Sequence, residues 1–166
     1  MKIRISFLNS NYDFTAEAAA SAQLEKNFRL SELANNAGDK SLPQYEVNIG
    51  SILIVSMLQQ LRDKVKKPIV VNSGYRQEEY NKKIGGDANS PHLKGWAADI
   101  RKIAGYTDDD IVTLWRQLCC DTGTVGAINL YGTYYHLEIF SDVNYGSTKF
   151  EVRDHRSDAK KGKSRK

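Results

Sequence analysis

The sequence predicts an α+β domain in which helices pack around a small antiparallel sheet. Residues 47–67 carry apolar side chains at three- and four-residue steps, which is typical of an amphipathic helix. The runs 125–131 and 134–140 are joined by Gly132 and Thr133, which indicates two strands in a tight hairpin. With 166 residues, of which 40% are hydrophobic and 27% charged, the chain can bury one core.

The segments before the long helix form an N-terminal unit at residues 1–26. Apolar and polar residues alternate near the start of residues 1–14, which predicts a strand or an extended arm. Residues 15–26 are rich in alanine and begin with Thr15, a suitable N-cap, so we predict a helix. A further short helix is expected at 31–34.

The helix predicted at 47–67 is the main candidate for the core. Lysines near its end suit the negative end of the helix dipole, and Pro68 ends it. Its apolar stripe is far more typical of core packing than of a functional surface. The stripe consists of Ile49, Leu53, Ile54, Met57, Leu58, Leu61 and Val65.

Shorter elements follow this helix. The pattern predicts a strand at 69–72, a helix at 78–84, a loop at 87–93, a strand at 95–100, a helix at 107–120 and a further short strand at 148–152. Thr107 caps the helix at 107–120, and three consecutive aspartates, 108–110, occupy its first turn. Because a helix N-terminus favours negative charge, this acidic triplet needs no metal to explain it.

The charge of the chain is concentrated at its C-terminus. Residues 153–166 contain seven Lys or Arg and two Asp or Glu, which is a net charge of +5. Since the whole chain has a net charge of +4, residues 1–152 have a net charge near −1. We predict a disordered tail at 153–166, able to contact polyanions, after a domain at 27–152. The near-neutral body argues against a protein that mainly binds nucleic acid.

Two features bear on the compartment. Cys119 and Cys120 are adjacent, so they cannot link distant segments, and a reducing compartment is expected. No run approaches a membrane span, and the apolar stretch at the N-terminus is too short for a signal peptide. We therefore expect the protein to be held in a cytoplasm.

Three residues form a candidate metal site. His92 and Asp99 lie seven positions apart with Gly95, Ala97 and Ala98 between them, and His136 follows later. A catalytic zinc needs three protein ligands and an open position for water, and His, Asp and His meet that count. The small residues would let the backbone pass close to the ion.

Strand alternation adds Glu138 to this site. In the strand 134–140, Tyr134, His136 and Glu138 share one face, while Leu137 points to the other. A hydrolase needs a proton acceptor for its water, and Glu138 is the candidate general base. Alternatively, Glu138 orients a metal ligand rather than acting on water.

Together these motifs resemble one family closely, the zinc D-Ala-D-Ala carboxypeptidases, which cleave peptidoglycan peptides and include many phage endolysins. The resemblance extends from about residue 28 to residue 140. It depends on the ordered set Ser73-Gly74-Tyr75-Arg76, Asn81, Gly85-Gly86, Ser90-Pro91-His92, Gly95, Ala97, Asp99 and His136-Leu137-Glu138. It implies the fold shared with hedgehog-type domains and one zinc ion per chain.

The resemblance also implies roles for single residues. It makes Arg76 a catalytic and substrate-binding group that holds the scissile carbonyl or a substrate carboxylate, and Ser90 a substrate contact. Asn81 and Gly85-Gly86 are expected to shape the loop. Many relatives have aspartate where Glu138 stands, so Glu138 departs mildly from the pattern.

The expected function is zinc-dependent hydrolysis of a peptide bond in peptidoglycan. The resemblance favours a D-Ala-D-Ala carboxypeptidase or an L-Ala-D-Glu endopeptidase, encoded by a phage and waiting in the host cytoplasm before it degrades the cell wall. A cytoplasmic dipeptidase is a variant of this interpretation. The alternative from another class is a non-catalytic binding domain of the same fold that keeps zinc for structure.

Overall fold

A five-stranded sheet forms the centre of the protein in the computed structural model, which describes residues 2–5, 10–13, 23–33, 46–47, 49–139 and 149–157. The strands are β1 Lys2–Ile5, β2 Ser10–Asp13, β3 Gln23–Glu25, β4 Phe28–Arg29, β5 Glu46–Val47, β6 Val71–Ser73, β7 Ala97–Arg101, β8 Gly126–Leu130, β9 Tyr134–Ile139 and β10 Glu151–Asp154. The helices are α1 Leu30–Leu33, α2 Ile49–Val65, α3 Glu78–Lys83 and α4 Asp108–Asp121, with a 3-10 helix at Pro91–Lys94.

The main sheet has the strand order β10-β8-β9-β7-β6. Neighbouring strands from β8 to β6 are antiparallel, as the sequence predicts, and β8 and β9 form the expected hairpin. Strand β10 adds a parallel partner to β8 at one edge. The α+β class with a small sheet and packed helices is therefore confirmed.

The core lies between one face of this sheet and the helices α2 and α4. The predicted apolar stripe of α2 is buried at Ile54, Met57, Leu58, Leu61 and Val65, each at most 2% exposed. Burying such a side chain stabilises the fold by roughly 1.5–3 kcal/mol. Trp115 of α4 is also fully buried, and its Nε1 donates to the Glu138 carbonyl at 3.3 Å.

The helix ends follow the predicted signals. Thr107 and Asp110 form a reciprocal capping box at the start of α4, which accounts for the acidic triplet without a metal. Helix α2 ends at Val65, and Lys66 adopts a left-handed φ of 53° just before Pro68. The short helix predicted at 31–34 is found as α1.

The N-terminal segments differ from the prediction in part. Strands β1 and β2 pair antiparallel, and β5 joins β1 in parallel to make a second, three-stranded sheet. The helix predicted at 15–26 is wrong at its end, because 23–25 is strand β3, paired with β4; residues 14–22 lie outside the described part of the chain.

The tertiary contacts of this short hairpin explain the error. Gln59 of α2 accepts a hydrogen bond from the Asn27 backbone at 2.9 Å and donates to its side chain at 3.1 Å. Leu24 packs against the core. These long-range contacts favour a strand at 23–25 over the predicted helix end.

The predicted tail begins too early. Arg153 and Asp154 belong to β10, and Arg156 reaches Asp108 of α4 at 3.0 Å. His155 stacks on Tyr131 with ring centres 5.0 Å apart. The fold therefore continues at least to residue 157, whereas residues 158–166 lie outside the described chain.

Two further features concern the cysteines and the length of the helices. Cys119 is buried and Cys120 exposed, and both thiols are free. Within the described ranges, no helix is both long enough and apolar enough to span a bilayer.

Candidate metal centre and active-site cleft

A row of polar side chains crosses the face of the sheet opposite the helices. The strand register places Ser73 beside Asp99, Asp99 beside His136, His136 beside Asn129 and Asn129 beside Arg153. Each of the five strands thus contributes one member. Since side chains alternate along each strand, their neighbours face the apolar core instead.

The three predicted ligands meet in this row. Nδ1 of His136 lies 2.7 Å from Oδ1 of Asp99, and Nε2 of His92 lies 3.1 Å from the same Nδ1. Nε2 of His92 is also 3.4 Å from Oδ1 of Asp99. Within the described part of the chain, these residues make up the group able to hold a metal ion.

The local backbone explains how His92 reaches the sheet. It lies on the 3-10 helix, which Gly95 ends in a left-handed conformation with φ 68°, two residues before the start of β7. Only glycine adopts this conformation without strain. The turn therefore brings His92 back over Asp99 of the following strand.

Each histidine is held by its other ring nitrogen. Nδ1 of His92 donates to the Gly74 carbonyl at 2.6 Å, which leaves the Nε2 lone pair directed at the cluster. Nε2 of His136 lies 2.9 Å from Oε1 of Glu138, so Nδ1 faces the other two ligands. Metal-ligating histidines are typically oriented by a carbonyl or carboxylate in this way.

Gly74 is needed at this position for a steric reason. A Cβ atom there would lie 2.1 Å from the backbone carbonyl oxygen of Leu33. A side chain would therefore displace the strand end that supports His92. This explains the glycine of the Ser-Gly-Tyr-Arg motif in physical terms.

The electrostatics of the cluster fit a cation. Burial lowers the pKa of His92, despite its contact with Asp99. For Asp99, hydrogen bonds from the two histidines outweigh burial and hold the pKa well below its usual range. Burial opposes charge on His136 too, but Asp99 and Glu138 raise its pKa to about 9.

The donor set fits zinc. Two imidazole nitrogens and one carboxylate oxygen are ordinary zinc ligands, with bonds of about 2.0–2.2 Å. In a tetrahedron of that size the ligand atoms lie about 3.3 Å apart, close to the 2.7–3.4 Å separations of these three atoms. His92, Asp99 and His136 would hold the ion.

Arg76 lies beside the cluster. Its Nη2 donates to Oδ2 of Asp99 at 2.7 Å, and its Nε donates to Oγ of Ser73 at 2.8 Å. Its backbone amide also donates to the His92 carbonyl at 3.0 Å. Nη1 has no hydrogen-bond partner among the described residues, and Arg76 lines the cleft.

Glu138 is nearly buried, and its side chain is 7% exposed. Oε1 accepts hydrogen bonds from His136 and, at 3.0 Å, from Nη1 of Arg153. Burial raises the pKa of Glu138, but these two partners outweigh it, so the pKa lies below the usual value. In the described chain Oε2 makes no hydrogen bond.

These groups line a cleft of about 640 Å³. Ser90, the predicted substrate contact, is among the lining residues. Asn81 shapes the loop that precedes Ser90: its side-chain Nδ2 donates to the Asp87 carbonyl at 2.7 Å, and its backbone carbonyl accepts from the Gly86 amide at 2.8 Å. Trp96 also lines the cleft and packs against the core.

Sequence reasoning missed the contribution of β10 and the rings near it. Glu151 and Arg153 line the cleft, although residues from 153 onward were predicted to be a tail. Tyr131 and Tyr134 stack with ring centres 4.4 Å apart and also line the cleft. Glu151 and Arg153 alternate with apolar neighbours, which could have predicted a strand with both side chains on one face. The alternating stretch is too short to make that prediction firm.

Fold and cleft together define the class: an α+β domain with a His-Asp-His metal centre of the kind that metallopeptidases use. The chain belongs to the peptidase M15 family, whose sequence model matches residues 26–138. This confirms the resemblance to zinc D-Ala-D-Ala carboxypeptidases and makes the protein a zinc-type metallopeptidase by family. No curated protein matches the chain.

Proposed function

We propose that this protein hydrolyses peptide bonds of peptidoglycan, as a D-Ala-D-Ala carboxypeptidase or as an endopeptidase of the L-Ala-D-Glu type. One observation carries the proposal. Nε2 of His92, Oδ1 of Asp99 and Nδ1 of His136 converge in a cleft that Arg76 also lines. Family membership supports the peptidase chemistry, and the cell-wall substrate is our inference from the motifs.

Zinc in this site would polarise the scissile carbonyl and make a water molecule a stronger nucleophile. The protein must supply the remaining functions. It has to orient the peptide, accept a proton from water and stabilise negative charge on the carbonyl oxygen.

Glu138 is the candidate proton acceptor. Its Oε1 is engaged by His136 and Arg153, whereas Oε2 is without a partner among the described residues and the residue lines the cleft. The two oxygens would therefore divide two roles, one orienting His136 and the other accepting the proton. The orienting role is the one that the contacts support directly.

Arg76 is the candidate group for the substrate oxygen. Two of its nitrogens are held by Asp99 and Ser73, which fixes the plane of the guanidinium and leaves Nη1 for the ligand. A fixed, permanently charged donor suits either a polarised carbonyl or the terminal carboxylate of a D-Ala-D-Ala peptide. The Ser90 hydroxyl would add a further contact at the cleft wall.

The deciding experiment is incubation of the zinc-loaded protein with defined muropeptides, followed by mass spectrometry. Loss of a single terminal alanine would identify a carboxypeptidase, and scission between L-Ala and D-Glu an endopeptidase. The His136→Ala protein serves as the control for contaminating activity. Unchanged pentapeptide and tetrapeptide substrates after incubation with the parent protein would overturn the proposal.

A non-catalytic zinc domain of the same fold is the second candidate. This candidate is favoured by the hydrogen bonds of Glu138 with His136 and Arg153. A purely structural metal centre would use the same contacts to orient a ligand. In that case the protein would bind one zinc ion tightly and still release no product. Measuring zinc content on the same sample as the muropeptide assay separates the two.

A further inference from the structure

A chain of charged contacts runs through His136 and ends in an arginine on each side. On one side Nη2 of Arg76 donates to Asp99, which accepts from His136. On the other side His136 contacts Glu138, and Glu138 accepts from Arg153. Both carboxylates that touch the His136 ring are therefore held from behind by a guanidinium.

The two arginines come from different parts of the sequence. Arg76 belongs to the Ser-Gly-Tyr-Arg motif within the matched segment 26–138, whereas Arg153 lies beyond that segment on β10. The parallel pairing of β10 with β8 places Arg153 beside Asn129, in the same row as His136. Ala127 lies between Glu151 and Glu138 in the neighbouring row, so no large side chain stands between these carboxylates.

The contacts of Arg153 indicate what it does. Its Nη1 donates to Glu138 and, at 3.4 Å, to Oδ1 of Asn129. Its Nε donates to Glu151 at 2.8 Å, and its Nη2 contacts the same carboxylate. Since all three nitrogens have partners within the fold, the guanidinium is built to hold other side chains rather than to bind substrate.

Glu138 needs such a partner. A carboxylate that is 7% exposed loses most of its hydration, and only paired charges offset that cost. Without Arg153, the described contacts of its carboxylate reduce to His136 alone. The Glu138 side chain would then be free to leave Nε2 of His136, and the ring would lose the contact that points Nδ1 at the cluster.

We propose that Arg153 is a positioning residue of the metal centre, which holds Glu138 against His136 and thereby sets the geometry of a zinc ligand. The role rests on the zinc peptidase function proposed above but concerns the metal site itself. It assigns the segment after the matched family region to the active centre. It also predicts that Arg153 acts on metal affinity and turnover and leaves substrate binding alone.

The test is a zinc competition titration against a chromophoric chelator with the full-length protein. Loss of a partner that orients a metal ligand typically costs 10–100-fold in metal affinity. We expect Arg153→Ala to weaken zinc binding by about tenfold, near the low end because it acts through Glu138. Arg153→Lys keeps the charge but reaches one carboxylate only, so its loss should be smaller.

The matched control is Arg156→Ala. It removes the same charge three residues away, where the arginine contacts Asp154 and Asp108 rather than Glu138. Its zinc affinity should stay within about twofold of the parent. The melting temperature of each metal-free protein reports folding, and Arg153→Lys keeps the test decisive if the alanine variant does not fold.

A double-mutant cycle with Glu138→Ala examines the route of the effect. When Glu138 is absent, Arg153 has nothing to hold, so adding Arg153→Ala should change zinc affinity by less than about twofold. A loss of equal size in both backgrounds would overturn the proposal. So would zinc affinities of both Arg153 variants within twofold of the parent.

Kinetics on a cleaved muropeptide add a second readout. The positioning role lowers kcat and leaves KM within about twofold. A raised KM with unchanged zinc affinity would make Arg153 a substrate contact and refute the role. If the parent cleaves no muropeptide but the zinc titrations follow the expected pattern, the proposed function fails and the role of Arg153 stands.

Discussion

The two faces of β9 are built from one six-residue segment and are stabilised in different ways. Tyr134, His136 and Glu138 face the cleft, where hydrogen bonds and ion pairs fix their positions. Tyr135, Leu137 and Ile139 alternate with them and are fully buried in the core. The polar face depends on a few directional contacts, whereas the apolar face depends on close packing with many neighbours.

Because the two faces are stabilised in different ways, we expect that the fold and the metal centre can be perturbed separately. Packing energy is spread over many residues, so the apolar face determines whether the sheet exists at all. The polar face adds few apolar contacts. Its side chains replace hydrogen bonds to water with hydrogen bonds to one another. Substitutions on the two faces should therefore separate loss of metal and activity from loss of stability.

The largest effect is expected for His136→Ala on the polar face. It removes one of three ligands, so the protein should lose zinc and with it essentially all hydrolysis, while remaining folded. Elemental analysis after dialysis measures the metal, and the His155→Ala protein is the matched control. Full zinc retention by His136→Ala would show that the metal centre lies elsewhere.

Glu138→Gln removes the negative charge but keeps an oxygen that can accept from His136. If Glu138 takes the proton from water, the rate should fall on the order of 10²–10⁴-fold with zinc still bound. Steady-state assays on muropeptides measure this, with the exposed Glu79→Gln as control. A rate within a few-fold of the parent would restrict Glu138 to orienting His136.

Leu137→Ala tests the apolar face of the same strand. Leu137 is 0% exposed, so truncation should leave a cavity and lower the free energy of unfolding by about 2–5 kcal/mol. Urea denaturation of the metal-free protein gives this value, and Val152→Ala at a 43% exposed position is the control. If the folded Leu137→Ala protein has lost its zinc affinity, the two faces cannot be perturbed separately.

Arg76→Lys should have a smaller effect on the polar face. Lysine keeps the charge beside Asp99 but loses the planar fork, so we expect turnover to fall about tenfold with unchanged zinc content. The control is Arg101→Lys, an exposed arginine on β7. Unimpaired turnover would place Arg76 outside substrate binding, and lost zinc would make Asp99 its main partner.

The smallest effect is expected from removing residues 158–166, which carry five Lys or Arg and one Asp. We propose that this segment attracts polyanions such as cell walls, so its deletion should weaken wall binding at low salt and not at high salt. Turnover of small muropeptides and the melting temperature should be unchanged. Deletion from Arg153 instead removes the second half of β10, with Arg153 itself, and should impair both.

Local sequence determined several parts of this protein. Periodic apolar residues predicted α2, the capping signals at Thr107 predicted α4, and a two-residue turn predicted the β8–β9 hairpin. These succeeded because the relevant interactions lie within a few residues of one another. The candidate ligand set His92, Asp99 and His136 was also predictable, since few residue types bind zinc and the motif spacing limited the choice.

Only the tertiary structure determined the parts that depend on long-range pairing. The contact between Asn27 and Gln59 holds residues 23–29 as a hairpin where a helix end was predicted, and the parallel pairing of β10 with β8 brings Arg153 to Glu138. Strand register depends on which strands become neighbours, and a short polar strand has no periodic pattern strong enough to specify that partner. Hence the candidate ligands were recognisable from sequence, whereas the side chains that hold them could be identified only from the assembled sheet.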